Sequence, residues 1–269
     1  MPKIHPTAIV DPSAEIEEGV EIGPYAVIGP QVYIGRGTRI GAHVVIEKNV
    51  RLGRNNLVNH HAILGADPQH LSYKGEKTWV EIGDENVIRE FVTIHRGTAL
   101  DQGLTRIGNR CLLMAYVHIA HDCFLGNEII MANGATLGGH VRVGDRVVFG
   151  GLSAVHQFCR IGAYAFVSGM SGVDKDVPPF VKVFGIPAKI QGVNLVGLRR
   201  AGFEKEAIRR ISQALGIFLD GPGRISEVIE ELRDAFPGDP HVEEFVRFLE
   251  NPSRQGIMRR KPFEGEEAF

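Results

Sequence analysis

An aliphatic residue returns at every sixth position through much of the chain, and this period restricts the fold more than any other feature. Nine such hexads run without a slip, at Ile16, Ile22, Ile28, Ile34, Ile40, Ile46, Leu52, Val58 and Leu64. The period resumes at Ile82, Ile88 and Ile94, and twelve more hexads follow from Ile107 to Val173. A period of six fits neither the two-residue alternation of an amphipathic strand nor the 3.6-residue period of a helix.

Six residues suffice for one flat side of a triangular coil, so three hexads, or 18 residues, make one turn. The aliphatic residue points inward and stacks on residue i+18, and the strand spacing of about 4.8 Å sets the rise between coils. Each coil then buries its neighbours, as in other solenoids. Glycine follows the aliphatic residue in 13 of the 24 hexads, which predicts corners where glycine takes an unusual φ. The pattern resembles a hexapeptide left-handed parallel β-helix.

Two segments interrupt the period, residues 66–79 and 96–104, and both carry polar and turn residues. We expect them to protrude as loops, where sites are commonly built. After about residue 190 the hexads stop. The sequence therefore predicts a mainly β fold, with a left-handed parallel β-helix over residues 1–190 and a small α-helical domain over residues 191–269.

Apolar residues at three- and four-residue spacing predict three helices in the second part of the chain, over residues 203–221, 225–236 and 241–250. Ser226 is the candidate N-cap of the middle helix. The tail from Asn251 onward shows no clear period and is expected to be partly disordered.

Composition excludes several classes of protein. Thirty basic and 32 acidic residues give a net charge of −2, so no global field favours nucleic acid or an anionic membrane. No apolar run reaches the length of a signal peptide or a membrane span, which predicts a cytoplasmic protein without stable membrane insertion. The cysteines Cys111, Cys123 and Cys159 are odd in number and lack CxxC spacing. We interpret them as reduced, buried residues rather than disulfides or a zinc site.

Polar residues gather in one sector of the predicted coil. Because one coil holds 18 residues, residues whose numbers differ by about 18 or a multiple of it lie above one another. The aliphatic residues occupy the inward positions of each coil, so their polar neighbours point outward. The residues that share the sector are His121, Asp122, His140, His156 and Gln157, with His118 on the flat side just before it. A purely structural β-helix gives no reason for this convergence, so we interpret it as a site.

Three chemistries could use such a cluster: metal binding, a thiol nucleophile and general-base catalysis. Hexapeptide β-helices include zinc-dependent carbonic anhydrases, but their histidine pair five residues apart is absent. His118 and His121 are three apart and lean to opposite sides of a strand, so we predict no metal and no cofactor. Cys123 and Cys159 have no evident base or electropositive setting, which disfavours a thiol nucleophile. General-base catalysis by histidine, whose unperturbed pKa is about 6.5, is the hypothesis that is left.

Six motifs resemble the UDP-N-acetylglucosamine O-acyltransferase family, whose members begin lipid A assembly. They are IHRGT at 94–98, HIAHDC at 118–123, ATLGGHV at 135–141, AVHQFC at 154–159, DVPPF at 176–180 and GVN at 192–194. The resemblance covers nearly the whole chain. It implies a homotrimer with active sites between neighbouring β-helices. It also implies transfer of a 3-hydroxyacyl chain from acyl carrier protein to the 3-hydroxyl of UDP-N-acetylglucosamine.

The resemblance also implies roles for single residues. His121 is the base, Asp122 orients it, and the backbone N–H of Gly139 is similar to the family's oxyanion donor. Gly169 matches the residue that closes the far end of the acyl groove, where the lack of a side chain implies a long chain. The other residues that match substrate positions are His118, His140, His156, Gln157, Asn194 and Arg200.

Two departures from the family pattern keep an alternative open. The first loop usually reads PQDLKY in the family but reads PQHLSY at 68–73 here, and the arginine pair after GLK appears as Arg199-Arg200-Ala201. The alternative is a hexapeptide N-acyltransferase that acts on an amino or diamino sugar nucleotide. Positive charge near the first C-terminal helix is predicted to dock the acidic carrier protein, through Arg199, Arg200, Lys205, Arg209 and Arg210.

Overall fold

The computed structural model describes residues 1–221 and 223–259. Most strands in this part are only two residues long, and a few helices follow them at the C-terminal end. The strands, in chain order, are β1 (Lys3–Ile4), β2 (Ile9–Val10), β3 (Glu15–Ile16), β4 (Glu21–Ile22), β5 (Val27–Ile28), β6 (Val32–Ile34), β7 (Arg39–Ile40), β8 (Val45–Ile46), β9 (Val50–Leu52), β10 (Leu57–Val58), β11 (Ile63–Ala66), β12 (Trp79–Ile82), β13 (Val87–Ile88), β14 (Thr93–His95), β15 (Leu104–Ile107), β16 (Leu112–Leu113), β17 (His118–Ile119), β18 (Phe124–Leu125), β19 (Ile130–Met131), β20 (Thr136–Leu137), β21 (Arg142–Val143), β22 (Val148–Phe149), β23 (Ala154–Val155), β24 (Arg160–Ile161), β25 (Phe166–Val167), β26 (Gly172–Val173), β27 (Val181–Gly185) and β28 (Ala188–Val193). The helices are α1 (Leu195–Arg200), α2 (Lys205–Asp220), α3 (Ile225–Ala235) and α4 (Pro240–Glu250).

Every third strand pairs in parallel, so the described strands make three long sheets around one axis. Ile22 pairs with Ile40, and Ile119 pairs with Leu137, in the 18-residue register that the hexads predict. The hexad residues from Ile22 to Val173 are buried and form a continuous core. The predicted class, a parallel β-helix with a C-terminal α-helical part, is confirmed.

The glycines that follow the hexad aliphatics serve coil stacking. Of these thirteen glycines only Gly65, at φ 77°, takes the left-handed conformation. For the other twelve the expectation of an unusual φ is wrong, because the left-handed conformation is taken by other corner residues, such as Tyr25 at φ 58° and His140 at φ 62°. A Cβ built on Gly29 would lie 1.6 Å from the carbonyl oxygen of Glu47 in the next coil. Glycine is therefore required where two coil backbones meet closely.

Both predicted loops leave the β-helix where the hexad period breaks. The first joins β11 to β12 and the second joins β14 to β15. Arg96, at the base of the second loop, is fully buried. Its guanidinium donates to the carbonyl of Gly65, to the Asp67 carboxylate and to the Tyr73 hydroxyl. The two loops are therefore held to the coil and to each other.

The C-terminal part differs in detail from the sequence prediction. An antiparallel hairpin of β27 and β28 ends one sheet, and the short helix α1 follows it; neither was predicted. Helix α3 begins at Ile225, so Ser226 is not its N-cap. Instead the Glu227 carboxylate accepts the N–H of Arg224 at 2.7 Å. The division at residue 190 into two domains stays a prediction.

Residues 251–259 fold back onto the end of the β-helix. Ser253 donates its N–H and its hydroxyl to the buried Asp176 carboxylate, at 2.7 and 2.6 Å. Ile257 forms a parallel bridge with Asp176. The expected disorder of the tail does not hold for these residues, and residues 260–269 lie outside the described part.

No helix within residues 1–221 and 223–259 has both the length and the apolar character needed to span a bilayer.

Two glycine substitutions test the stacking constraint. We expect Gly29→Ala to lower the free energy of unfolding by about 3 kcal/mol, because its Cβ meets backbone that cannot move aside cheaply. Gly216→Ala, in helix α2 with open space around the Cβ, should instead raise it by up to about 1 kcal/mol. Denaturant unfolding of both variants measures the difference. An unchanged stability in Gly29→Ala would contradict the constraint.

Candidate active site

His121 and Asp122 lie at the corner that joins β17 to β18. Asp122 takes the left-handed conformation at this corner, with φ 60°. The turn brings its carboxylate back against the neighbouring imidazole, and Asp122 Oδ2 lies 2.9 Å from His121 Nδ1. Both residues are buried, with 7% of His121 exposed. The corner therefore builds a histidine–carboxylate pair from two consecutive residues.

The second loop completes the hydrogen bonding of Asp122. Thr98 donates its N–H to Oδ1 at 2.9 Å and its hydroxyl to Oδ2 at 2.7 Å. Burial acts to raise the pKa of Asp122, but the hydrogen bonds from His121 and Thr98 outweigh it and hold the pKa below its usual value. An ionised Asp122 that accepts from Nδ1–H leaves Nε2 of His121 as the basic nitrogen.

Gly139, one coil above, covers the ring of His121. A Cβ at this position would lie 2.5 Å from Cε1 and 2.8 Å from Nε2 of that imidazole, so a larger residue would displace the ring. Within the described chain, the Gly139 N–H has no hydrogen-bond acceptor. A free backbone donor therefore lies beside the candidate base.

An open groove of about 450 Å³ brings together several of the predicted site residues. The predicted residues that line it are His118, His121, Gly139, His156 and Gln157. Gln69, from the first loop, also lines it. This groove is the candidate active site.

His118 is held at the floor of the groove by a hydroxyl. Its Nδ1 lies 2.7 Å from Thr93 Oγ1. Burial, and then the charge of His121, lower its pKa. His118 is therefore disposed to act as a neutral hydrogen-bonding group.

His156 and Gln157 are exposed at the upper end of the groove, where the C-terminal tail reaches them. Gln255 Nε2 lies 3.2 Å from His156 Nδ1 and 3.1 Å from the Gln157 carbonyl oxygen. This contact was not predicted, because the tail has no periodic pattern that would place it.

His140 lies beside the pair rather than in the lining of the groove. Its ring stacks on Phe158 at 4.3 Å and meets the ring of His121 edge to face at 5.1 Å. Its Nδ1 is 3.0 Å from Asp101 Oδ2. His140 therefore lies in the predicted sector, where Phe158, His121 and Asp101 contact its ring.

Besides Asp122 and His140, three further predicted residues lie outside the groove lining. Asn194 caps helix α1, accepting from the Gly197 N–H at 3.1 Å and donating to the Tyr164 carbonyl at 2.9 Å. Arg200 is exposed in the last turn of the same helix. Gly169 stacks on Gly151, whose carbonyl oxygen lies 3.2 Å from a built Cβ.

The backbone at Gly169 does not itself require glycine. The left-handed corner belongs to the next residue, Met170, with φ 57° and 67% exposure. The φ angle of Gly169 therefore does not explain why this position is a glycine.

Sequence reasoning missed two histidines near His121, the candidate base. His95 is buried against His118, with ring centroids 5.0 Å apart, and burial followed by the charges of His118 and His121 lowers its pKa to about 4. The ring of His70, in the first loop, lies 5.4 Å from that of His121. The loops change the spacing between coils from 18 residues, so a constant spacing of 18 could not align these positions.

The cysteines do not supply a nucleophile. Cys111, Cys123 and Cys159 are free and buried, as predicted. Burial raises the pKa of Cys123 and of Cys159 to about 12. Their thiols therefore stay protonated near neutrality.

Within residues 1–221 and 223–259, one group of side chains could offer a metal three ligand atoms within 4.8 Å of one another, namely His121, Asp122 and His140. The hydrogen bond from His121 to Asp122 and the two from Thr98 already engage the carboxylate. The expectation of a metal-free site stays a prediction.

Two family models match parts of this chain, and a solved structure matches nearly all of it. A family model described as UDP N-acetylglucosamine O-acyltransferase, domain 2, matches residues 176–258, and one described as bacterial transferase hexapeptide (six repeats) matches residues 1–36 and 13–48. The solved UDP-N-acetylglucosamine O-acyltransferase of Moraxella catarrhalis superposes with a TM-score of 0.93 at 43% identity. That match covers 95% of this chain and 99% of the other.

Curated relatives cover the same length. The acyl-[acyl-carrier-protein]–UDP-N-acetylglucosamine O-acyltransferase of Alkalilimnicola ehrlichii is 56% identical over 96% of this chain and 100% of its own length. The protein of the same name from Halorhodospira halophila is 51% identical over 96% of this chain and 100% of its own. The β-helix is thus of the left-handed hexapeptide type, and the chain belongs to the UDP-N-acetylglucosamine O-acyltransferase family.

Proposed function

We propose that this chain transfers a 3-hydroxyacyl group from acyl carrier protein to the 3-hydroxyl of UDP-N-acetylglucosamine, the first step of lipid A biosynthesis, in the cytoplasm. The names of the relatives support both substrates. The observation that carries the chemistry is the His121–Asp122 pair beneath the free N–H of Gly139, at the wall of an open groove.

The geometry supports a direct transfer. Nε2 of His121 takes the proton of the sugar hydroxyl as the oxygen attacks the thioester carbonyl, and Asp122 stabilises the imidazolium that forms. The oxyanion of the tetrahedral intermediate accepts from the Gly139 N–H. Collapse breaks the carbon–sulfur bond, and the imidazolium returns its proton to the leaving thiolate. A thioester is already activated, so no acylated enzyme and no cofactor are needed.

The other predicted residues are proposed to bind the substrates. His118, His156 and Gln157 line the groove beside the base and offer hydrogen bonds to the sugar. Arg200 is exposed and offers a planar guanidinium to the pyrophosphate. Asn194 is proposed at the nucleotide by resemblance, although its side chain already caps α1.

We further propose a homotrimer in which a neighbouring β-helix closes the groove. An exposed stripe of ring and apolar side chains at one corner supports a partner, since contiguous exposed surface of this kind commonly marks an interface. Five rings stack along it at 4.9 to 5.1 Å, and two exposed aliphatic side chains continue it. The stripe consists of Tyr25, His43, His61, Phe91, Tyr116, Leu152 and Met170.

The basic face predicted to dock the carrier protein is partly neutralised. Arg209 pairs with Glu206, and Arg210 pairs with Asp239. Docking is therefore proposed to rest mainly on the remaining cations of that face, Arg199, Arg200 and Lys205. Salt should weaken such an encounter by screening.

Incubation of the purified protein with UDP-N-acetylglucosamine and a panel of 3-hydroxyacyl carrier proteins tests the function, with the product mass recorded. We expect one ester-linked 3-hydroxyacyl group on the sugar nucleotide, and little transfer from the matching coenzyme A thioesters. Transfer that requires the 3-amino analogue of the acceptor would support the N-acyltransferase alternative instead.

The same panel reports the acyl length. With no side chain at Gly169, we expect a preference for a long chain of about fourteen carbons, each further buried methylene contributing about 0.8 kcal/mol. Gly169→Met should shift the preference to shorter chains. An unchanged preference in a folded Gly169→Met protein would remove Gly169 from the acyl groove.

The role of the base is tested by His121→Ala. We expect kcat to fall by about 10²- to 10⁴-fold, the usual contribution of a general base, while the thermal midpoint stays near that of the parent. His5→Ala, an exposed histidine near the N-terminus, is the matched control and should retain full activity. A His121→Ala enzyme within a few-fold of the parent would disprove the assignment.

A further inference from the structure

The second loop contacts the site at two points. Thr98, near its start, donates two hydrogen bonds to Asp122. Asp101, near its tip, places Oδ2 3.0 Å from Nδ1 of His140, a residue 39 positions further along the chain. One loop therefore holds both the partner of the base and a neighbouring histidine.

The other contacts of His140 fix the plane of its ring but not the ring's orientation within that plane or the position of its proton. Stacking on Phe158, with planes 10° apart, fixes the plane of the ring. The Arg254 guanidinium lies over the ring of Phe158 and supports the stack. Stacking does not decide which nitrogen points to which side or which carries the proton. The Asp101 carboxylate decides both, because an ionised carboxylate can only accept, so the ring nitrogen that faces it must carry the proton.

The other nitrogen of His140 faces the catalytic pair. Nε2 lies 3.8 Å from Asp122 Oδ2, which is too long for a hydrogen bond. Asp122 is already satisfied by His121 and Thr98. Nε2 of His140 therefore has no hydrogen-bond partner among the described residues, and it lies next to Gly139, which lines the groove.

We propose that Asp101 is a positioning residue for the acyl transfer: it accepts the Nδ1–H of His140 and so presents Nε2 as an acceptor beside the base. The inference rests on the proposed function, since it deepens the account of that same site. Asp101 acts through His140, in the way a carboxylate behind a ligating or catalytic histidine fixes its tautomer. A sugar hydroxyl or amide N–H is the chemistry that such an acceptor would bind.

Kinetics of Asp101→Ala test the proposal, with Gln102→Ala as the control, because Gln102 is an exposed neighbour in the same loop. We expect kcat/KM for the sugar nucleotide to fall about ten- to a hundredfold in Asp101→Ala, the range for a lost hydrogen bond to a charged group. Asp101→Asn keeps an acceptor oxygen and should retain more activity than Asp101→Ala. Gln102→Ala should match the parent.

A double-mutant cycle separates positioning from a merely structural role. If Asp101 acts through His140, Asp101→Ala should cause no further loss in a His140→Gln background. A loss that is as large in that background as in the parent, or parental activity in Asp101→Ala, would overturn the proposal.

The tautomer of the His140 ring can be measured spectroscopically, in the absence of substrates and of any reaction. Nitrogen-15 spectra of histidine-labelled protein should show one ring protonated at Nδ1 that is absent from His140→Gln and changes tautomer in Asp101→Ala. A His140 ring protonated only at Nε2 in the parent would also overturn the proposal. If the parent transfers no acyl group to UDP-N-acetylglucosamine, the proposed function fails, whereas this spectrum still decides the role of Asp101.

Discussion

The close stacking of one coil on the next, in a fixed 18-residue register, is the constraint on which the rest of the structure depends. It aligns aliphatic residues such as Ile119 and Leu137 into a continuous core. It also places the backbone of Gly139 against the ring of His121. A small shift of register would separate the proposed base from its proposed backbone donor, so the geometry of the site depends on the stacking of the coils.

The two loops add what a uniform coil cannot supply. Outward positions of the β-helix repeat too regularly to surround a single histidine–carboxylate pair, and the loops bring extra groups over it. Thr98 donates to the Asp122 carboxylate, and the ring of His70 approaches that of His121. The buried Arg96 guanidinium ties the first loop to the start of the second. Rigid stacking and anchored loops together give a site with little reorganisation to perform.

The sequence predicted the structure well wherever the same contact repeats from coil to coil. Six-residue spacing predicted the core, the coil length and the sector that holds His121, Asp122 and His140. It failed where the constraint was local or non-periodic. Spacing between coils changes across the loops, which hid His95, and the contact between Asp101 and His140 depends on a loop conformation that no period encodes. Most of the hexad glycines were assigned to the wrong cause, since coil contact rather than φ selects all of them except Gly65.

The central claim is that coil stacking holds His121 as a base beneath the free N–H of Gly139, and activity of Gly139→Ala tests it most directly. The added Cβ would meet Cε1 of His121 at 2.5 Å, while the backbone N–H is retained. Displacing the base by about 1 Å should cost about a hundredfold in kcat, with the folded assembly and its thermal midpoint largely kept. A folded Gly139→Ala protein with parental activity would contradict the account.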